Sequence, residues 1–216
     1  MKAEYRINTT DDEFFSEKMF NEAKSGIKHT TGTNTSLKAF KYFTFSPSIN
    51  YSETWYFDKI NKRFDPTLET TGEVVNDTIS GFNRFNNYNV GASLSTNIYG
   101  TFNFKKGRLK AIRHTFRPSI SYSYRPDFKD KYIKQVQQSA DATDLLDYTV
   151  FDQGIYGAPS SGLSNSIGIN LNNVLEAKVA PKNPDDEDAE DEKITILNNL
   201  NFSSSYNIAA DSLRWS

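Results

Sequence analysis

Two histidines stand in nearly the same tetrapeptide, Ile27-Lys28-His29-Thr30 and Ile112-Arg113-His114-Thr115. A histidine can serve as a general base, but hydrolysis also needs a nucleophile and an orienting group within hydrogen-bond reach. His114 is followed by Thr115 and Phe116, and no serine stands on its own face nearby. The pair therefore reads as amphipathic strand residues and not as a catalytic centre. Three arginines, Arg113, Arg117 and Arg125, share alternate positions with Thr115, Ser119, Ser121 and Ser123. Guanidinium groups on one face can hold phosphate through charge-assisted, forked hydrogen bonds; equally, they can pair with acids on facing strands. Seven acids crowd Asp185–Glu192 (DDEDAEDE). That run lacks the glycine and the alternating oxygens of a calcium loop, and reads as a solvated turn. There is no cysteine, hence no disulfide and no thiolate metal site. No glycine-rich phosphate loop or zinc motif appears. The expectation is no catalytic residue, no metal, no cofactor and no nucleic-acid partner.

What positions the arginines is legible from periodicity. In NYNVGASLSTNIYGTFNF, residues 87–104, Tyr88, Val90, Ala92, Leu94, Ile98, Phe102 and Phe104 occupy even positions. Asparagine, serine, glycine and threonine fill most of the odd ones. Alternation of this kind is a strand with one apolar and one polar face. The segment 111–126 repeats it, with Ile112, Phe116, Pro118, Ile120 and Tyr122 opposite the three arginines. Further strands are expected at 25–37, 42–57, 163–178 and 194–208, with 1–24 a loop or partial helix. Leu94, Ile98, Phe102, Ile120 and Tyr122 are then candidates for contact with lipid, and Arg113, Arg117 and Arg125 for a lumen.

Strand length separates the architectures. Strands of soluble domains average about 5–6 residues, whereas most of these run much longer. Long alternating strands suit an outer-membrane barrel, whose apolar band is ~25 Å tall. The short connection Lys105–Lys110 contrasts with the stretches 58–86 and 127–162, expected as long outward loops; the acidic turn 179–193 falls on the short-turn, periplasmic side. Composition agrees: hydrophobic residues make up only 37%, yet there are 16 Phe and 12 Tyr, a polar chain with an aromatic face. The fold expected is all-β, an antiparallel up-and-down transmembrane β-barrel segment of about six long strands.

One repeat stands out. TFSPSINYS (Thr44–Ser52) and TFRPSISYS (Thr115–Ser123) differ only at Ser46/Arg117 and Asn50/Ser121. Each places a proline, Pro47 or Pro118, on the apolar parity, where it must cost a ladder hydrogen bond.

The segment IRHTFRPSISYSYRPDF (Ile112–Phe128) resembles the arginine–histidine, proline and alternating-aromatic strand of the LptD family of lipopolysaccharide-assembly outer-membrane proteins, in its Bacteroidetes form. LNNVLEAKVA (Leu171–Ala180), the acidic insertion and NNLNFSSSYNIAADSLRWS (Asn198–Ser216) are similar to later strands of that family; SGIKHTTGTNTS (Ser25–Ser36) and YSETWY (Tyr51–Tyr56) are compatible with it. The resemblance implies an internal segment of a large barrel that delivers lipopolysaccharide to the outer leaflet of the Gram-negative outer membrane. It implies as partners lipopolysaccharide, the lipid bilayer, a lipoprotein plug and periplasmic bridge proteins; a jelly roll and a signal sequence are expected outside this chain. Two other classes share the alternation: another outer-membrane channel or TonB-dependent transporter, and a soluble glycan-binding β domain. An upstream plug would mark the transporter, and free solubility would mark the glycan-binding domain.

Overall fold

The computed structural model describes residues 1–68, 72–181 and 190–216. Its strands are β1 (Lys2–Arg6), β2 (Lys24–Asn34), β3 (Leu37–Ala39), β4 (Phe43–Asp65), β5 (Glu73–Thr96), β6 (Ile98–Asn103), β7 (Leu109–Arg125), β8 (Ile133–Gln137), β9 (Leu145–Thr149), β10 (Ser164–Val179) and β11 (Glu192–Asn207). The main sheet is open and runs β1-β2-β4-β5-β7-β10-β11, with β3 beside β4 and β6 beside β7. Neighbours along the chain are neighbours in the sheet, which is the antiparallel meander expected of an up-and-down barrel segment. The chain divides into two compact units: Met1–Thr33 with Ile49–Asn89 and Arg125–Leu163, and Asn34–Ser48 with Val90–Tyr124 and Ser164–Ser216.

In the second unit the two-residue period becomes two faces. Val90↔Tyr124, Ala92↔Tyr122 and Leu94↔Ile120 pair across β5 and β7, interleaved with Gly91↔Ser123, Ser93↔Ser121 and Ser95↔Ser119. The apolar series continues across β6 and β7 as Ile98↔Phe116 and Phe102↔Ile112. It reappears in Ile167↔Tyr206 and Leu171↔Phe202 of β10 and β11. Near Leu175 the register slips twice, leaving two extra residues on β11. Two one-residue slips cancel in phase, so Ile194 returns to the apolar side opposite Ala177. This side is uncovered: Phe102 is 68% exposed and Phe202 56%.

The prolines explain why one expected strand is two. Counting along the β6–β7 register puts Pro118 opposite Thr96, and the ladder stops between Thr96 and Ile98. Pro118 has no N–H to give to that neighbour. The other copy behaves alike. The β3–β4 register, Leu37↔Phe45, puts Thr35 opposite Pro47, and β2 ends at Asn34. One bond survives there, Thr35 N–H donating to the Pro47 carbonyl at 3.3 Å. Each proline thus interrupts the pairing with the strand before it while its own strand continues.

The first unit departs from expectation. Residues 58–86 are not a long loop. β4 has 23 residues and β5 has 24, with β4 running to Asp65 and β5 starting at Glu73. At ~3.3 Å per residue each would reach about 75 Å, well past a ~25 Å apolar band. Segment 126–163 is also folded, with a hairpin of β8 and β9. Residues 1–24 hold the partial helix, Glu17–Asn21, capped by Ser16 Oγ accepting Met19 N–H at 3.1 Å. They also hold β1, which pairs with β2 from Lys2↔Lys28 to Arg6↔Lys24. Most of the acidic turn lies outside the described residues. At its flanks Lys178 pairs with Asp191 at 2.9 Å and Lys193 with Glu176 at 2.6 Å.

Candidate functional site

On β4 the parity that is polar in its lower half, Thr44, Ser46 and Ser48, becomes aromatic and buried higher up. Tyr56 and Ile60 are 1% and 5% exposed, and the 126–163 segment covers them. The Tyr56 ring packs with Phe85 and Phe151, ring centroids 6.0 and 5.6 Å away. It lies between two glycines: a Cβ at Gly26 would sit 2.9 Å from the ring, and one at Gly154 would collide with it. Its hydroxyl donates to the Gly157 carbonyl at 2.8 Å and accepts the Tyr156 N–H at 2.9 Å. Two N–H groups of upper β4 are also taken by this segment: Ile60 donates to the Val150 carbonyl at 3.0 Å and Lys62 to the Tyr148 hydroxyl at 3.1 Å. Buried strand groups need such partners. Beneath the segment is a cavity of about 350 Å³, lined among others by Lys24, Tyr56, Asp58, Asn76, Phe151 and Gln153.

The opposite face of the same unit carries an aromatic cluster. Glu53, an acid on the apolar parity, accepts from Tyr51 Oη at 2.8 Å, Trp55 Nε1 at 2.7 Å and Arg84 Nη1 at 3.1 Å. His29 stacks on Trp55 with centroids 4.4 Å apart. His114, in the second unit, lies with Nε2 3.0 Å from Asn173 Oδ1. Neither histidine meets a nucleophile in these contacts. Among the described residues no group of three acids, histidines or cysteines is placed to hold a metal ion.

The three arginines are not equivalent. Arg113 and Arg117 lie exposed in the second unit, Arg113 with its guanidinium 5.1 Å from the Tyr99 ring centre. Arg125 belongs to the first unit, where its Nη2 donates to the carbonyls of Ser161 and Gly162 at 3.1 and 3.2 Å. Thus Arg125 ties down the end of the covering segment.

The comparisons with known proteins bear on this sheet as a whole. A family model described as LptD protein matches residues 1–216. The chain belongs to the LptD family. LptD proteins are lipopolysaccharide-transport barrels of the outer membrane, and membership sets aside the transporter and the soluble glycan-binding readings. No curated protein and no solved structure matches. No described helix is long and apolar enough to cross a membrane.

Asp127 fastens the covering segment of this LptD chain at both ends. Its Oδ2 accepts the Gly162 N–H at 2.6 Å, and Oδ1 accepts those of Lys129 at 2.9 Å and Asp130 at 3.3 Å. The Gly162 bond first, then the Lys129 and Asp130 bonds and the Arg125 charge, hold this carboxyl below its ordinary range. A depressed folded-state value means the clasp is complete above the ordinary carboxylate pKa and is lost as pH falls through the depressed one. The Gly162 amide should therefore be protected from hydrogen exchange at neutral pH and exposed in strong acid. Asp127→Asn should remove that acid transition, and an unchanged transition in the variant would assign it to another group.

Proposed function

We propose that the apolar face of this sheet meets the acyl chains of the outer membrane and that its polar face lines the lumen through which lipopolysaccharide reaches the outer leaflet. The observation that carries this is the pairing itself: long antiparallel strands that alternate Leu94↔Ile120 with Ser95↔Ser119, their apolar side uncovered. Leu94, Ile98, Phe102, Ile120 and Tyr122 are the lipid-facing residues in this reading. Arg113 and Arg117 are the groups available to lipid phosphates, because Arg125 already serves the covering segment. The role is transport and assembly, with no covalent chemistry. A lipoprotein plug and periplasmic bridge proteins are the partners that family membership suggests. The test is a photoreactive residue at Ser95 or Arg117 in the full-length protein in living cells. Lipopolysaccharide adducts at both are expected; their absence at both overturns the reading.

The orientation proposed rests on the extended ends of β4 and β5 and the segment packed there, in contrast to the bare turn between β6 and β7. The Asp65 end of β4 and the 126–163 segment face outside, and the Lys105–Lys110 turn faces the periplasm. Cysteines at Thr67 and Lys106 should label oppositely with an impermeant maleimide on intact cells, only Thr67 reacting. The reverse pattern would invert the assignment.

A further inference from the structure

We infer that the cavity under the 126–163 segment binds an uncharged, hydroxyl-rich saccharide segment through Asp58, Asn76, Thr78 and Gln153. This deepens the lipopolysaccharide reading above and depends on it for the identity of the ligand. At about 350 Å³ the cavity lies within the roughly 300–1,000 Å³ of small-molecule sites. Its lining is divided. Tyr56, Ile60 and Phe151 supply an apolar wall, and the polar groups come from β4, β5 and the covering segment. Among the described residues, the side chains of Asp58, Asn76, Thr78 and Gln153 make no hydrogen bond or ion pair to other protein groups. Asp58 is only partly exposed. A carboxylate held partly away from water without donors is unfavourable, and hydroxyl groups of a ligand would supply them. Each amide offers a donor and an acceptor side by side, which matches hydroxyl pairs on a sugar ring, since every hydroxyl both gives and accepts. Charge argues against a bare anion. Glu22 and Asp58 balance Lys24 and Lys59 around the same cavity, so a phosphate would find no net attraction.

The test uses the full-length barrel purified in detergent. The probe is the lipid-free saccharide released by mild acid from the lipopolysaccharide of the same cells, titrated calorimetrically with and without inorganic phosphate. Asp58→Asn, Asn76→Ala and Gln153→Ala are compared, with heat-modifiable gel mobility reporting that each barrel is folded. Gln153 is an exposed residue of the covering segment, so its variant keeps the test valid if a strand variant fails to assemble. Each folded variant should weaken binding about tenfold, the scale of one lost hydrogen bond to a well-placed partner, with no effect of phosphate. No binding by the wild type, or equal binding by the folded variants, overturns the site. Displacement by inorganic phosphate overturns the saccharide assignment. Photoadducts at Ser95 and Arg117 without saccharide binding remove this site alone; saccharide binding without those adducts removes the transport reading and leaves the site.

Discussion

Leu94→Arg is expected to block assembly of the intact barrel, while Ser95→Arg, one residue along, is expected to assemble normally. The register decides this. Leu94 lies opposite Ile120 and Ser95 opposite Ser119, so the two side chains leave the sheet on opposite faces. Leu94 has Val90, Ala92 and Ile98 on its own parity, and the same face continues into exposed Phe102. On the proposed reading this face meets hydrocarbon, where an arginine near the midplane costs about 2–4 kcal/mol. That is a large share of the ~5–15 kcal/mol that holds a typical domain folded. On the Ser95 face the new guanidinium would meet water and the serines of β7. A buried core would also reject arginine at position 94, so the control must report lipid itself. Fluorescence of Leu94→Trp should be quenched by brominated acyl chains, and that of Ser95→Trp should not. Equal quenching at the two positions, or none at 94, would mean that this face does not meet a membrane.

The lower strands were legible in the sequence because one physical rule governs them. Where one face meets an apolar medium and the other a polar one, the side-chain period of two appears in residue types, as in 87–104 and 111–126. The rule lapses along upper β4 and β5. There Asp58, Lys59, Asn61, Lys62 and Arg63 follow in near succession, and a charged run of that kind reads as a loop. Tyr56 and Ile60 stand on the parity that is polar lower down, because the covering segment packs against that face. Two apolar stripes of opposite phase on one strand cancel as a periodic signal. The prolines were legible as ladder breakers, but the broken neighbour depends on the direction of the missing N–H, which only the register gives. Glu53 is tolerated on the apolar side because Tyr51, Trp55 and Arg84 donate to its carboxylate. The cavity had no sequence signal. Asp58, Asn76 and Gln153 come from two strands and a distant loop with no shared motif, and Gly154 meets Tyr56 across nearly a hundred residues of chain.

That long-range contact yields the second large effect. In the full-length protein, Tyr56→Ala should release the 126–163 segment from the sheet while leaving the β5–β7 ladder intact. Truncating a buried aromatic costs about 3–5 kcal/mol, and here the loss falls on the packing with Phe85 and Phe151 and on both hydroxyl contacts to the segment. Local opening would become easier by a factor on the order of a hundred to several thousand, read as faster hydrogen exchange at Tyr148–Gly157. Tyr56→Phe keeps the ring and loses only the hydroxyl, which should cost about 1–3 kcal/mol for the carbonyl and N–H left unpaired. Gly154→Ala approaches the same contact from the other side. Its Cβ would enter the space of the Tyr56 ring, so the segment must lift or the ring must turn. The exchange pattern should then resemble that of Tyr56→Ala, although the tyrosine itself is unchanged. Combining Gly154→Ala with Tyr56→Ala should cost less than the sum of the two, because the collision needs both partners. Full protection of Tyr148–Gly157 in Gly154→Ala would show that the segment is not seated on this ring.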